Sequence, residues 1–225
     1  MQNNLKVLPN AVKFVEHKIV SAQTEAITAV MFEYLMAGNG LFIRAKRREF
    51  SVCLPVCREP IKGLPEVNSG IVWHKPRIPS NLWQQILENA RIGSDSQNFR
   101  EEVFVIFWHE ATSQWCWRNI GKDRQWARTI ADDSLSEYGE ACIELHTHPD
   151  GVIHFSQSDD RDESGKFRIF GILVDVHSPN PKIRFRCGVY DYFAQIPADY
   201  ISEMPEGMID LNRYAQLIKR LVYEV

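Results

Sequence analysis

Two histidines at the end of a strand-like run constrain this chain more than any other feature of its sequence. Residues 141–146 read ACIELH, in which apolar and polar side chains alternate towards the end, and Thr147 and His148 follow. Successive side chains of a β-strand point to opposite faces, so residues two apart share a face. His146 and His148 are therefore predicted to leave the strand on the same side, close enough to bind one metal ion.

A serine and an aspartate follow the histidine pair at a short distance along the chain. The spacing is His-x-His, seven intervening residues, and then Ser-x-x-Asp, which ends at Ser156 and Asp159. Two neutral imidazole nitrogens and one carboxylate oxygen suit Zn2+ with a fourth coordination position left to water. We therefore predict that His146, His148 and Asp159 bind zinc. Ser156 is a candidate cap for the segment that runs into Asp159, a role compatible with a second one in catalysis.

This spacing resembles the signature of the JAMM zinc peptidases, also called MPN-plus or JAB, whose relatives remove ubiquitin and ubiquitin-like proteins from their attachments. Two longer segments, HFSQSDDRDESGKFRIFGILVD and AGNGLFIRAKRREF, are similar to a bacterial family called PRTRC system protein A. The first resemblance covers residues 78–197, whereas residues 1–75 rest on the second alone.

The resemblance implies an α+β fold for residues 76–225, a JAMM/MPN-like or cytidine deaminase-like mixed β-sheet flanked by helices. Residues 1–75 are predicted to form a small N-terminal α+β accessory region. The five prolines of residues 55–79 indicate a connector between the two.

Hydrophobic periodicity predicts the individual elements. Residues 25–36 have the apolar spacing of a helix that the glycines following them would end, and a second helix with an apolar stripe is predicted from Ser80 to Gly93. A terminal amphipathic helix is predicted over residues 211–222. Strands are predicted over residues 41–43, 50–54, 103–108, 114–120, 167–176 and 183–195.

A proton carrier for the zinc-bound water is a further expectation from the resemblance. In the JAMM family this role belongs to a glutamate at the start of the strand after the first helix, where this chain offers Glu101 and Glu102. The family usually has a small residue three positions after this glutamate. That position is Val105 if the glutamate is Glu102 and Phe104 if it is Glu101. Glu102 is favoured, because valine is closer to a small residue than phenylalanine is. Ser156 is then expected to donate a hydrogen bond to the oxyanion. The alternative is that both glutamates only form a charged strand entrance.

The resemblance further implies a hydrolase that acts on a peptide or isopeptide bond at the C-terminal tail of a ubiquitin-like protein, with a ThiF-like (E1-like) activating enzyme as a second partner. Two alternatives remain open at this point. One is a non-catalytic MPN-type interaction scaffold, although the complete ligand set counts against it. The other is a peptidase that trims the tail of a sulfur-carrier protein by the same mechanism.

Two other metal-binding patterns fit the sequence less well. HTHPD imitates the start of the metallo-β-lactamase pattern, but Gly151 stands where its next histidine belongs. A His-x-His at the end of a barrel strand would suggest an amidohydrolase. Only 77 residues follow His148, too few to complete a barrel of roughly 250 residues.

Composition excludes several classes of partner. The net charge is −3, so no general attraction to nucleic acid is expected. No apolar run approaches the roughly 20 residues of a membrane helix, and the N-terminus lacks the pattern of a signal peptide. We therefore expect no membrane partner. The 5 cysteines include no Cys-x-x-Cys, which favours reduced thiols and a cytoplasmic protein.

Overall fold

A computed structural model of the chain describes residues 14–21, 25–93, 99–125 and 128–213. The chain divides into two compact units, residues 1–74 and 75–225, one residue from the boundary predicted between residues 75 and 76. Within the described ranges, no helix is both long and apolar enough to cross a membrane.

The N-terminal unit is a five-stranded sheet in which the strands follow one another in chain order. The first two strands pair in parallel and the others pair antiparallel. The strands are β1 Val15–Ile19, β2 Phe32–Ala37, β3 Gly40–Lys46, β4 Phe50–Cys57 and β5 Gly70–Trp73.

The helix predicted over residues 25–36 is wrong, because its second half forms strand β2. The apolar positions Phe32, Leu35 and Met36 fit a helical spacing, but pairing with β1 and β3 overrides that local preference. Gly40, with φ of 136°, lets the chain turn directly from β2 into β3. The described part of this unit contains no helix, so the predicted α+β accessory region is an all-β unit there.

The C-terminal unit combines helices with a mixed sheet, and its coarse class is therefore α+β as predicted. The helices are α1 Ser80–Gly93, α2 Ser136–Glu140 and α3 Gln157–Glu163. The strands are β6 Val103–His109, β7 Gln114–Asn119, β8 Gly121–Gln125, β9 Arg128–Ala131, β10 Ile143–Thr147, β11 Phe167–Val174, β12 Lys182–Val189, β13 Tyr192–Ile196 and β14 Ile209–Asp210.

The main sheet has the order β13-β12-β11-β10-β6-β7, with β14 beside β12, while β8 and β9 form a separate hairpin. Helix α1 is confirmed, and its apolar stripe, Leu82, Trp83, Ile86, Leu87 and Ala90, is buried as predicted. The ring of Trp83 packs 5.7 Å from that of Phe185 on β12. This helix covers one face of the sheet and leaves the other face for the site.

The remaining strands match their predictions with small differences. The run predicted as one strand over residues 183–195 is two, β12 and β13, because Tyr190 turns the chain with φ of 54°. Strand β9 and helix α2 form where no clear hydrophobic period predicts an element. The terminal helix predicted over residues 211–222 lies outside the described residues beyond Arg213.

Candidate metal centre

The histidine pair lies where the central strand β10 ends. β10 pairs in parallel with β11 and antiparallel with β6, which fixes the strand on both sides. The His148 amide donates to the carbonyl of Leu173 at 2.9 Å, so the extended conformation continues past the last residue of β10. His146 and His148 therefore lie on the same face, as predicted, and His148 is buried.

The three predicted metal ligands converge. The Nε2 atoms of the two histidines are 2.9 Å apart, and the Asp159 carboxylate oxygens lie 3.4 Å from His146 Nε2 and 3.5 Å from His148 Nε2. Tetrahedral zinc, with bonds of about 2.0–2.1 Å, holds neighbouring ligand atoms about 3.3 Å apart. The separations and the two-nitrogen, one-oxygen donor set thus fit a zinc ion with one position open.

A backbone contact orients one imidazole for this purpose. His148 Nδ1 lies 3.0 Å from the carbonyl oxygen of Val152. A carbonyl can only accept, so this nitrogen carries the ring proton and Nε2 keeps its lone pair for a metal. The ring of Phe155 stands 6.3 Å from that of His146, close to perpendicular to it.

Asp159 is positioned by a capping box at the start of α3. The Ser156 hydroxyl accepts from the Asp159 amide at 3.3 Å, and the Asp159 carboxylate accepts from the Ser156 amide at 2.5 Å. The capping role predicted for Ser156 is confirmed. The Ser156 oxygen also lies 2.7 Å from the hydroxyl of Ser158. Both carboxylate oxygens of Asp159 thereby face the histidines from the first turn of a helix.

The electrostatics of the three ligands are coupled. Burial opposes the ionisation of Asp159, but its contacts with the His146 and His148 imidazoles outweigh burial and hold the pKa of this carboxyl well below its usual range. Burial likewise opposes the charging of His146, and the neighbouring Asp159 carboxylate overcomes this and raises its pKa. Without a metal ion, the close approach of His146 and Asp159 therefore favours a proton at the position where the cation would bind.

The structure does not bring Glu102 to the histidines, and the choice of Glu102 over Glu101 is corrected. The Thr147 amide donates to the Glu102 carbonyl at 2.9 Å, so residues 102 and 147 face each other and share the side away from His146. The Glu102 carboxylate is fully buried on that side, where it accepts from Asn119 Nδ2 at 2.7 Å. A Cβ on Gly93 of α1 would collide with it.

Glu101 lies on the side of the metal ligands. It is half-buried and lines a cavity of about 260 Å³ together with His146 and Asp159. Burial raises the pKa of Glu101 above its ordinary value, although the imidazoles of His146 and His148 act in the opposite direction. A carboxyl group that readily holds a proton therefore faces the predicted zinc site.

Two buried charged residues that the sequence predictions omitted anchor helix α3. Arg186 on β12 donates to Glu163 at 2.7 Å and to Asp160 at 2.6 Å. Its guanidinium also packs on the rings of Phe155 at 3.9 Å and Phe193 at 4.1 Å. Burial raises the pKa of Glu163 to about 8 despite the opposing charge of Arg186. The sequence does contain a sign of this contact, because charged residues occupy alternate positions of the otherwise apolar strand β12.

No protein-family model matches the chain, and no curated protein is significantly similar to it.

Proposed function

We propose that this chain is a zinc-dependent hydrolase of peptide or isopeptide bonds, similar to the JAMM peptidases. His146, His148 and Asp159 would hold the ion. The observation that carries this proposal is the set of separations among their three ligand atoms, 2.9, 3.4 and 3.5 Å, beside a cavity that Glu101 also lines.

The chemistry assigned to the protein residues follows from their positions. Zinc, when bound, would supply a water molecule acidified to a pKa of about 7. Glu101 would accept the proton of the attacking water on a carboxylate oxygen and return it to the departing amine. Its raised pKa supports this role, because a base works best when its pKa is near the working pH.

Ser156 can combine its capping role with catalysis. It uses an oxygen lone pair to accept from the Asp159 amide, so its O–H remains available as a donor. We propose that Ser156 donates this hydrogen to the oxyanion that forms at the attacked carbonyl. One such donor is worth about 2.7–4 kcal/mol of transition-state stabilisation.

The finer fold and the substrate are also proposals. The element order of helix α1, hairpin β6–β7, ligand strand β10 and ligand helix α3 supports a JAMM/MPN-like, cytidine deaminase-like domain. The motif resemblance favours the C-terminal tail of a ubiquitin-like protein as the substrate, or that of a sulfur-carrier protein. A ThiF-like enzyme would then act on the same small protein.

Metal analysis and cleavage assays together test this proposal. Protein purified without chelator should contain one zinc per chain, and His148→Ala should lose it. Candidate ubiquitin-like and sulfur-carrier proteins, supplied as linear fusions and as lysine conjugates, should be cleaved only by the metal-loaded chain, as read by mass spectrometry. Zinc binding with no cleavage of any substrate would favour the interaction scaffold, and protein that binds no zinc would refute the metal centre.

A further inference from the structure

Strand β12 carries a second buried arginine, Arg184. Only 7% of Arg184 is exposed, and within the described residues no carboxylate lies within ion-pair distance of it. Its Nη1 donates to His154 Nδ1 at 2.9 Å, while its buried Nε has no hydrogen-bond partner in the described part of the chain. Burial lowers its pKa, opposed only by the more distant charge of Asp210. An uncompensated buried cation is costly, which points to a missing anionic partner.

A cavity of about 260 Å³ adjoins this guanidinium. Arg186 and the exposed amide of Gln195 also line it, and Phe155 and Phe193 form apolar walls. Asp160 is the carboxylate in this lining, and it already pairs with Arg186 at 2.6 Å. Arg184 can only donate to His154, so the proton of this imidazole is on Nε2, which adds another donor. The cavity therefore offers several donors and one unbalanced positive charge.

The cavity adjoins the metal centre on the same face of the sheet. His146 pairs with Ile172 on β11, and Ile172 pairs with Arg184 on β12, so all three side chains project to one side. Two strand spacings separate His146 from Arg184, about 10 Å. An extended peptide covers this distance in about three residues.

We propose that Arg184 and Gln195 bind a carboxylate of the polypeptide substrate, about three residues from the bond that is cleaved. A carboxylate suits the planar, permanently charged guanidinium of arginine. A single charge matches the one unbalanced cation better than a doubly charged phosphate does. The carboxylate can be an aspartate or glutamate side chain or a chain terminus. Its assignment to the substrate rests on the proposed hydrolase function, whereas carboxylate binding does not.

Binding is measured on full-length Glu101→Gln protein, so that the result is independent of turnover. Two probes carry one carboxylate each: acetyl-aspartyl amide has it on the side chain, and acetyl-alanine has it at the terminus. Acetyl-alanine amide, which has no carboxylate, and inorganic phosphate are the comparison probes. The readout is the NMR signal of the Arg184 Nε–H, assigned by its disappearance in Arg184→Met. We expect this signal to move with one or both carboxylate probes and not with the amide. Which probe binds identifies the source of the carboxylate.

Arg184→Met should weaken that binding by about 10-fold to 100-fold, the loss expected for a charge-assisted hydrogen bond. Arg48→Met, at an exposed arginine of the N-terminal unit, is the matched control and should bind as before. Without ligand, Arg184→Met should raise the Tm by about 2–4 °C, because it removes an uncompensated buried charge.

Three results would overturn the inference. They are an Nε–H signal that ignores both carboxylates, a response to phosphate alone, and a lower Tm for Arg184→Met, which would show that the guanidinium stabilises the fold by itself. Failure of the hydrolase proposal would leave the binding results unchanged, so the two failures are distinguishable. If both proposals hold, peptides with Asp in place of Asn at the third residue should be cleaved at least about 10-fold faster, and Arg184→Met should abolish the difference.

Discussion

Replacing the two adjacent glutamates should produce opposite effects on activity and stability. Glu101→Gln removes the proposed proton carrier with almost no change in side-chain size, and general acid–base catalysis contributes about 10²–10⁴-fold. We expect kcat to fall by that factor with KM nearly unchanged, which corresponds to about 2.7–5.4 kcal/mol. Stability should not fall, because the raised pKa of Glu101 shows that burial already favours its uncharged form.

Glu102→Gln should have the reverse effect. The Glu102 carboxylate is fully buried and accepts a hydrogen bond from Asn119 at 2.7 Å. Glutamine can still accept this bond, but it buries an amide NH2 group in place of a carboxylate oxygen, and an unsatisfied buried donor costs about 1–3 kcal/mol. This would lower Tm by about 2–12 °C in a domain of this size. The folded variant should keep kcat within about threefold, because the side chain faces away from the ligands.

The assay uses whichever fusion or conjugate the wild-type chain cleaves, at saturating substrate. The temperature is at least 15 °C below the lowest Tm among the variants, because this margin exceeds the largest Tm shift expected for Glu102→Gln. Metal content is measured on each sample, so that loss of zinc is not mistaken for loss of a proton carrier. A folded, zinc-loaded Glu102→Gln that is inactive, beside an active Glu101→Gln, would refute the assignment of Glu101.

Three other predictions follow from the structure. Chelation should lower the Tm by about 5–11 °C if zinc had been present at 100 times its Kd, an occupancy worth about 2.7 kcal/mol. Glu163 has its pKa raised to about 8, so the folded state binds its proton more tightly than the unfolded state does, and its contribution to stability falls as pH rises from about 4.5 to 8. Metal-free Glu163→Gln should therefore gain stability relative to wild type at pH 8 but not at pH 5 in urea titrations, and a greater loss at pH 8 would contradict this reasoning. Gly171→Ala should lower the free energy of unfolding by about 1–3 kcal/mol, because the added Cβ would lie 2.7 Å from the Phe185 ring. Gly139→Ala, whose Cβ would meet nothing within 4 Å, should be neutral or stabilising by up to about 1 kcal/mol. Equal Tm values for the two variants would contradict this account of the packing at Gly171.

The shared face of the two histidines could be predicted because it is local: strand parity alone puts His146 and His148 on one side of β10. Asp159 was predicted as the third ligand from the resemblance of the motif spacing to that of the JAMM peptidases. The choice between Glu101 and Glu102 is not local, because it depends on the register of β6 against β10. A one-residue shift in register moves a side chain to the other face of the sheet. Neither the apolar run of β6 nor the identity of its third residue reports that register.

The misassigned helix over residues 25–36 has a related cause. Glu33 is fully buried in β2 and forms an ion pair with Arg44 on β3 and another, at 2.9 Å, with Lys18 on β1. These partners come from neighbouring strands, and the sequence gives no sign of them in the segment itself. Short apolar runs fit both a helix and a strand, and here tertiary pairing decides between them.

The spacing of the motif does not by itself bring the three proposed metal ligands together. Seven residues separate His148 from Ser156, and this loop is fixed at both ends by contacts from distant parts of the chain. The amide of Gly151, whose φ is 79°, donates to Asp175 at 2.8 Å. Near the other end, Phe155 packs against Arg186 at 3.9 Å. Arg186 also donates to Asp160 and Glu163 of α3. Although Arg186 is not itself a proposed ligand, it therefore helps to position Asp159 beside the histidines. A short motif can therefore mark a candidate site in a sequence, while residues outside it hold the three side chains at the separations that one ion would need.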